Sequence, residues 1–346
     1  MMLPSSASSN GSPPVVSLGS FPSWKRGILC FMLIPGFLIF KNLMTGEKCY
    51  FLSFAHPMIN ASQIVDEIES NGFTTTQPIN NTTQEYGVIK DPSKTFCDYT
   101  SCKMFDMVYV VKSYIGNFAQ RIAIRKTWGS DKTLRLKTIF VVGYSPDIQD
   151  DIDIESNTYH DILQFKMIDN YRNLVYKTVF SIIWCADRNI KTHYVHFVDD
   201  DRLVNTLLLH KFALNSIIET DMKMIGHKLI LRMPFRNRLS KYYISIDEYP
   251  YDFWPPYLIG GTILTNMKVV KRMALGIPFV KIIHMEDAFI GILSKLLYIE
   301  VVHNSGFLPY FQSGLLLSNK LSSPDYKSYQ VLIENWAQMQ TYDLYT

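Results

Sequence analysis

The segment Tyr194–Asp201, YVHFVDDD, decides the fold class because it joins a short apolar run directly to three carboxylates. A continuous run of β-branched and aromatic residues is typical of a strand in a parallel sheet that is covered on both faces. In open α/β sheets, ligands bind beyond the carboxyl ends of the strands, where Asp199, Asp200 and Asp201 would lie. Adjacent carboxylates repel one another, and hard oxygen ligands suit Mg²⁺ or Mn²⁺. The segment therefore predicts a cation site, with a solvated acidic turn as the alternative.

Strand and helix patterns alternate on both sides of this segment. Residues 105–111 and 138–143 have strand composition, and apolar residues recur at helical spacing through residues 175–186. Strand–helix–strand alternation predicts an α/β fold with a doubly wound, mostly parallel sheet. Further along, the patterns predict a helix over residues 205–218 and strands over residues 228–233 and 298–303.

Composition excludes several classes of protein. With 346 residues, 47% of them hydrophobic, the chain has ample material for a core. A net charge of +3 without a dense Lys/Arg block argues against nucleic acid as a partner. The five cysteines show no C-x₂-C spacing, which argues against a zinc site.

The N-terminal region has the pattern of a membrane anchor. Lys25 and Arg26 precede an apolar run over residues 27–40. That run covers roughly 20 Å as a helix, against a hydrocarbon core of ~30 Å, so it would span only with interfacial anchoring by its flanks. We expect residues 1–26 to form a cytoplasmic tail and residues 27–44 a signal anchor. The alternative is a cleaved signal peptide.

Residues 45–103 are polar and predict a lumenal stem, followed by a catalytic domain over residues 104–346. Sequons begin at Asn60, Asn80 and Asn81, which we expect to be glycosylated. On the lumenal side Cys97 and Cys102 could form disulfides, with partners that the sequence leaves open.

Two further segments carry candidate site residues. Within a predicted helix, Arg121, Arg125 and Trp128 share one face, which would suit a diphosphate beside a stacked base. By spacing alone, a solvated arginine pair beside a packed tryptophan is the more common arrangement. The Pro- and aromatic-rich segment 248–261 could form a sugar subsite or a packed loop, and Glu286-Asp287 could cap a helix or supply a general base.

Taken together, the chain resembles the β-1,3-glycosyltransferases of family 31, the β-1,3-galactosyltransferase family. Matching blocks occur in family order over roughly residues 105–305: Arg121–Gly129, Asp161-Ile162, Asp169–Leu174, Lys177-Thr178, Phe197–Asn205, Ser240–Tyr242, Tyr249-Pro250, Pro255–Tyr257 with Gly260, and Glu286–Gly291. Two departures stand out. The family usually has a glycine-rich turn and a tyrosine after Tyr257, where this chain has Gly260–Ile263. Its acidic motif usually leads into an apolar residue, whereas Arg202 follows Asp201 and could point to solvent or pair with a carboxylate.

The resemblance implies a GT-A fold in a single-pass type II Golgi membrane protein with a lumenal catalytic domain. Its expected partners are a UDP-sugar, a glycan acceptor on a glycoprotein or glycolipid, and the membrane. The expected reaction is inverting, Mn²⁺-dependent transfer of galactose from UDP-galactose in β-1,3 linkage. UDP-N-acetylglucosamine or UDP-N-acetylgalactosamine as donor, a non-catalytic sugar-binding protein of the same fold and a metal-dependent phosphoesterase are the alternatives.

The resemblance also assigns roles to residues. Asp201 with Asp199 would hold Mn²⁺, with His303 as a further ligand and Asp200 near the ribose. Asp287 would be the general base, with Glu286 as the substitute candidate. The residues expected to contact the donor are Arg121, Arg125, Trp128, Asp169, Lys177, Asp199 and Lys241. Those expected to contact the acceptor are Trp254, Tyr257 and Gly260.

Overall fold

A mixed eight-stranded sheet forms the centre of the computed structural model, which describes residues 60–80, 87–97, 101–130 and 134–343. The strands are β1 (Val88–Lys90), β2 (Phe105–Lys112), β3 (Leu136–Tyr144), β4 (Ile162–Ile168), β5 (Thr192–Asp199), β6 (Leu203–Val204), β7 (Lys223–Gly226), β8 (Lys228–Leu229), β9 (Tyr257–Leu258), β10 (Thr262–Asn266), β11 (Glu300–His303) and β12 (Ser322–Ser323).

The order of strands in the sheet is β1-β4-β3-β2-β5-β10-β7-β11, and β6–β12 and β8–β9 form two small ladders outside it. Strands β4, β3, β2, β5, β7 and β11 run in one direction, whereas β1 and β10 run antiparallel to their neighbours. The predicted α/β class with a mostly parallel sheet is confirmed. Because the parallel strands end at the same edge, the residues that follow β2, β4 and β5 lie together.

Helices cover both faces of the sheet. They are α1 (Ala61–Asn71), α2 (Phe118–Lys126), α3 (Gln149–Tyr159), α4 (Leu174–Asp187), α5 (Thr206–Ser216), α6 (Met267–Gly276), α7 (Glu286–Leu296), α8 (Gly314–Leu317) and α9 (Tyr329–Asp343). Helices α4, α6 and α7 pack on one another, and α2 contacts α9. Alternate β2 residues such as Met107 and Tyr109 join the core beside α2, as strand geometry requires.

Part of the predicted stem belongs to the folded unit. Arg272 on α6 holds helix α1 through Ser62 and Asp66, each at 2.8 Å, and β1 pairs with β4. Cys97 and Cys102 are disulfide-bonded to each other. Ile64 and Val65 of α1 are buried as well, so apolar packing and polar side chains together attach this segment. Among the described residues, the domain therefore begins well before residue 104.

The predicted glycosylation sites differ in their surroundings. Asn80 donates its side-chain amide to the carbonyl oxygens of Ile277, at 2.9 Å, and Val280, at 2.5 Å. A glycan attached to that nitrogen would replace one of its two hydrogens and so remove one of these hydrogen bonds. The structure therefore argues against glycosylation of Asn80. Asn60 is exposed and uses only its Oδ1 atom to cap α1. Asn81 and the predicted anchor lie outside the described residues.

The strand predicted over residues 228–233 differs from the structure. The sheet strand near residue 228 is β7, which ends at Gly226, while residues 228–229 leave the sheet as β8. A Cβ at Gly226 would lie 2.9 Å from the carbonyl oxygen of Thr262, so this glycine allows β7 and β10 to approach. In the described ranges, no helix combines the length and the apolar character needed to span a bilayer.

Candidate active site

The three aspartates after β5 occupy different environments. Asp199 forms an ion pair with Lys112 at 3.0 Å and keeps 35% of its side chain exposed. Asp200 is buried and accepts hydrogen bonds from Ser113 Oγ, at 2.6 Å, and Asn117 Nδ2, at 3.0 Å. Asp201 is half-buried, and its burial, together with the charge of Asp199, raises its pKa to about 6. Of the three, Asp200 is occupied by hydrogen bonds to Ser113 and Asn117, whereas Asp199 and Asp201 are the more accessible to a ligand.

We expect Asp201→Asn to stabilise the metal-free protein at pH 7 by about 1–3 kcal/mol, because the folded state then no longer holds this carboxylate ionised. The folded-state pKa of about 6 exceeds the ordinary 3.8, so the stabilisation should vanish below about pH 4, where both states are protonated. Urea unfolding in EDTA at several pH values measures this. The matched control is the exposed Asp252→Asn, and an equal effect of both variants at pH 7 would contradict the prediction.

Lys112, the last residue of β2, connects the two groups of acids. Its side chain is 1% exposed, and its Nζ atom lies 3.0 Å from Asp199 Oδ1 and 2.5 Å from Glu286 Oε1. Nζ also donates to the Gly260 carbonyl at 2.8 Å. Burial alone would lower the pKa of Lys112, but attraction to Asp199 and Glu286 raises it above its ordinary value. This lysine is a charged member of the site that sequence reasoning missed.

Glu286 and Asp287 begin helix α7 and play different structural parts. Glu286 is buried, and Lys112 and Thr178 Oγ1 both donate to its Oε1 atom. Asp287 is half-buried and accepts the N–H of Ala288 at 3.0 Å through Oδ1. Burial raises the pKa of both carboxyl groups, with Lys112 opposing the shift in each case. Glu286 is thus held in an internal ion pair, whereas Asp287 lies closer to solvent.

Gly260 and Gly261 carry the chain between the two groups of acids. A Cβ at Gly261 would lie 2.9 Å from Asp199 Oδ2 and 2.7 Å from Arg202 Nε. A Cβ at Gly260 would lie 3.2 Å from that of Asp287. Glycine at position 261 therefore has a steric basis, because a side chain there would displace Asp199.

Arg202 does not point to solvent, as the sequence allowed. It is 3% exposed and donates to the Leu308 carbonyl at 3.2 Å. Burial lowers its pKa, and the charges of Asp199 and Asp201 oppose that shift. The guanidinium therefore lies inside the domain, where it partly offsets the acids.

Asp169 and Lys177 support the loop after β2. Lys177 pairs with Asp169 at 2.7 Å and donates to the Ser113 carbonyl at 2.6 Å. Asp169 Oδ2 accepts the N–H groups of Ile115 and Gly143, each at 2.9 Å. Both predicted donor-binding residues lie at the expected sheet edge, but their polar atoms bind each other and backbone groups of the chain. Through these contacts they position Ser113, which donates a hydrogen bond to Asp200.

The positions of Arg121, Arg125 and Trp128 do not support their predicted role in donor binding. Arg121 is fully buried and forms an ion pair with Glu155 at 2.6 Å, and Arg125 bridges Glu155 and Asp161, each at 2.7 Å. Trp128 is fully buried and packs edge-on against Tyr109. Arg121 and Arg125 share a face of α2 that points to an internal charge network, and Trp128 follows the end of that helix, in a short turn. Both guanidiniums are therefore paired with carboxylates of the chain itself.

The remaining predicted contacts are only partly accessible. Trp254 is 4% exposed and packs on Tyr249 with ring centroids 4.1 Å apart, whereas Tyr257 and Gly260 are half-buried. Lys241 is exposed, with its ammonium 5.1 Å from the Tyr171 ring centroid. Tyr257 and Gly260 therefore remain available to a ligand, while Trp254 shapes the segment from inside.

Asp199 and Asp201 fit a hard divalent cation, because both are carboxylates at one edge of the sheet and burial, followed by the charge of Asp199, raises the pKa of Asp201. His303 ends β11, three strands from β5, and accepts the Lys228 N–H at 3.3 Å through Nδ1. Across the described part of the chain, no three His, Cys, Asp or Glu side chains are already arranged to hold a metal. The role of His303 as a ligand stays a prediction.

The family model for galactosyltransferases matches residues 119–305, which include the acids after β5 and those of α7. The chain belongs to the galactosyltransferase family. Beta-1,3-galactosyltransferase brn of Drosophila melanogaster is 28% identical over 63% of this chain and 71% of that protein. Beta-1,3-galactosyltransferase bre-5 of Caenorhabditis elegans is 31% identical, over 62% and 69%. Beta-1,3-galactosyltransferase 1 of Mus musculus is 30% identical, over 67% and 71%.

Among solved structures, the mannosyltransferase PcManGT from Pyrobaculum calidifontis, in complex with GDP-Man and Mn²⁺, has a TM-score of 0.35. Sequence identity is 12%, over 63% of this chain and 57% of that structure. Family membership makes the chain a glycosyltransferase, which the resemblance predicted.

Proposed function

We propose that this family member transfers galactose from UDP-galactose to a glycan hydroxyl in β-1,3 linkage, with inversion at the sugar carbon. One observation carries the proposal: two groups of acids, Asp199 with Asp201 and Glu286 with Asp287, lie on either side of Gly260 and Gly261. Lys112 links the two groups, because it pairs with both Asp199 and Glu286. Asp199 and Asp201 suit the diphosphate leaving group of a nucleotide-sugar, by way of a cation. Asp287 suits the hydroxyl group that attacks the sugar.

The chemistry requires a base on the acceptor side. The sugar of UDP-galactose is α-linked to phosphate, so a β-linkage forms in one displacement in which the acceptor oxygen attacks as the bond to phosphate breaks. The acceptor hydroxyl loses its proton to a carboxylate as that bond forms. Asp287 suits this role, because Glu286 is closed off by Lys112 and Thr178 while Asp287 is half-buried beside Gly260.

Asp199 and Asp201 are the residues that would hold Mn²⁺. A bound divalent cation would act as a Lewis acid that stabilises the charge developing on the diphosphate leaving group. Lys112 pairs with Asp199 at 3.0 Å from within the domain and so orients this carboxylate at the edge where a cation would bind.

On the acceptor side, Tyr257 and Gly260 border Asp287 and are half-buried, so they could contact a sugar ring. We propose that the acceptor is a glycan of a glycoprotein or glycolipid in the Golgi lumen, with the chain anchored as a single-pass type II protein. The Cys97–Cys102 disulfide supports an oxidising compartment. Protease protection of the domain in intact vesicles tests this location, and digestion without detergent would contradict it.

A donor screen with the full-length protein tests the function. We expect Mn²⁺-dependent release of UDP from UDP-galactose, with equal transfer of sugar to a glycan acceptor and little transfer to water. The Asp201→Asn variant should lose Mn²⁺-dependent UDP binding in calorimetry while remaining folded, because a carboxamide is a poor ligand for a hard cation.

The alternatives give distinct outcomes in the same screen. Transfer only from UDP-N-acetylglucosamine or UDP-N-acetylgalactosamine would change the donor but keep the reaction. UDP binding without transfer to any acceptor would indicate a non-catalytic binding protein. Unchanged UDP–Mn²⁺ binding by Asp201→Asn would contradict its role as a ligand.

A further inference from the structure

A cavity of about 1000 Å³ lies at the opposite edge of the sheet from the candidate active site. It borders the start of β2, whereas Lys112 ends that strand seven residues later. At about 3.3 Å per residue, the two ends of the strand are roughly 23 Å apart. Its lining comprises Ser93, Lys94, Thr95, Phe96, Cys97, Cys102, Lys103, Lys137, Arg188, Asn189, Ile190 and Lys191. The cavity is therefore separate from the proposed transfer reaction.

The lining is strongly basic. Its charged residues are Lys94, Lys103, Lys137, Arg188 and Lys191, and the part of the lining that the structure describes contains no aspartate or glutamate. Arg188 pairs with Asp91, outside the lining, at 2.7 Å. In the ranges that the structure describes, the four lysines form no ion pair within the chain. Four like charges around one cavity repel one another unless an anion joins them.

Lys137 is the lysine of this lining that is held partly out of water. Its side chain is half-buried, with the ammonium 5.7 Å from the Phe96 ring centroid. Burial lowers its pKa, and the charge of Lys103 lowers it further. Asp161 opposes the shift, but both its oxygens bind Arg125, at 2.7 and 2.8 Å. A cation is thus held partly out of water without a dedicated partner.

The walls of the cavity are part of the folded framework. The Lys103 N–H donates to the Phe96 carbonyl at 2.9 Å, and the Phe105 N–H donates to the Lys191 carbonyl at 2.9 Å. The Cys97–Cys102 disulfide closes the turn beside Lys103. Since the backbone fixes the points from which these lysines extend, an anion would meet a partly preorganised group of cations.

We propose that this basic cavity binds an oxyanion ligand that carries more than one phosphate or sulfate group. Lysine ammonium groups bind such oxygens as point charges, and several of them suit a multiply charged ligand. The volume is at the upper end of small-ligand sites, so the cavity has room for more than one such group. A sulfated oligosaccharide and a free phosphate compound share this chemistry.

Calorimetric titration of the full-length protein tests the site with two probes, inorganic pyrophosphate and a heparin-derived tetrasaccharide. The test variant is Lys103→Gln/Lys137→Gln. The control, Lys211→Gln/Lys295→Gln, removes the same charge from two exposed lysines outside the lining. We expect the test variant to bind at least one probe about tenfold or more weakly than the control, because two charge-assisted contacts are lost.

A second measurement is independent of affinity. The bound probe should slow acetylation of Lys103 and Lys137, read by mass spectrometry, and leave Lys211 and Lys295 unprotected. Tighter binding of the tetrasaccharide would identify a sulfated glycan as the source, and tighter binding of pyrophosphate a free phosphate compound. Absence of binding by both probes, or equal weakening in the test and control variants, would overturn the proposal. Neither result would bear on galactosyl transfer, because the cavity is remote from Asp287.

Discussion

Asp287→Asn should lower the rate of transfer by about 10²–10⁴-fold, the usual contribution of general-base catalysis. An asparagine is nearly isosteric and keeps the oxygen that accepts the Ala288 N–H, so helix α7 should begin unchanged. UDP–Mn²⁺ affinity should stay near that of the unmodified protein, because Asp199 and Asp201 are untouched. Measuring kcat for transfer from UDP-galactose, together with calorimetric UDP binding, separates the loss of chemistry from the loss of binding.

Glu286→Gln is the comparison variant, since the neighbouring acid is replaced by its amide in the same way. We expect this variant to retain more transfer activity than Asp287→Asn. We also expect it to lose stability, because Glu286 Oε1 accepts hydrogen bonds from Lys112 and Thr178. The acidic limb of the pH–rate profile should persist in Glu286→Gln and disappear in Asp287→Asn. The reverse pattern would assign the base to Glu286.

Lys112→Met should have the largest effect on stability, about 3–5 kcal/mol, because it leaves the buried Glu286 without its counterion and Asp199 without its partner. The loss should be smaller at low pH, since burial raises the pKa of Glu286 and the unpaired carboxyl group can take up a proton. Urea unfolding of the metal-free protein at pH 5 and pH 8 measures both the size and the pH dependence.

The double variant Lys112→Met/Glu286→Gln isolates the cause. If the cost comes from an unpaired buried charge, neutralising Glu286 should recover most of the stability that Lys112→Met loses at pH 8. If instead the double variant is as unstable as the sum of the single variants, the packing of the lysine stem, rather than its charge, is what β2 requires.

Sequence patterns were sufficient to predict the frame of the site. The strands at residues 105–111 and 138–143 and the helix at 175–186 are confirmed as β2, β3 and α4 with small changes at their ends. Local periodicity identifies such elements because burial on a sheet or along a helix stripe imposes it. The acids after β5 were placed at the ligand-binding edge for the same reason, since every parallel strand ends there.

Helical spacing predicted that Arg121, Arg125 and Trp128 share a helix face. Helix α2 ends at Lys126, so only the two arginines lie on it, and spacing could not say which way their face points. The structure turns it inward, where Glu155 and Asp161, distant in sequence, neutralise both guanidiniums. Spacing reports only which side chains are neighbours on a helix, whereas burial depends on what the rest of the chain packs against it. A charged pair on a helix is therefore ambiguous until its counterions are located.

The sequence by itself determined the mostly parallel α/β sheet and the edge at which the acids gather, because both follow from local patterns and chain order. Only the tertiary structure decided which acids are free to react. Lys112 lies 174 residues from Glu286, and their contact closes off that carboxylate while Asp287 beside it remains half-buried. No periodicity encodes a contact of that sequence separation, because the two residues meet only after β2 and α7 have packed into one domain.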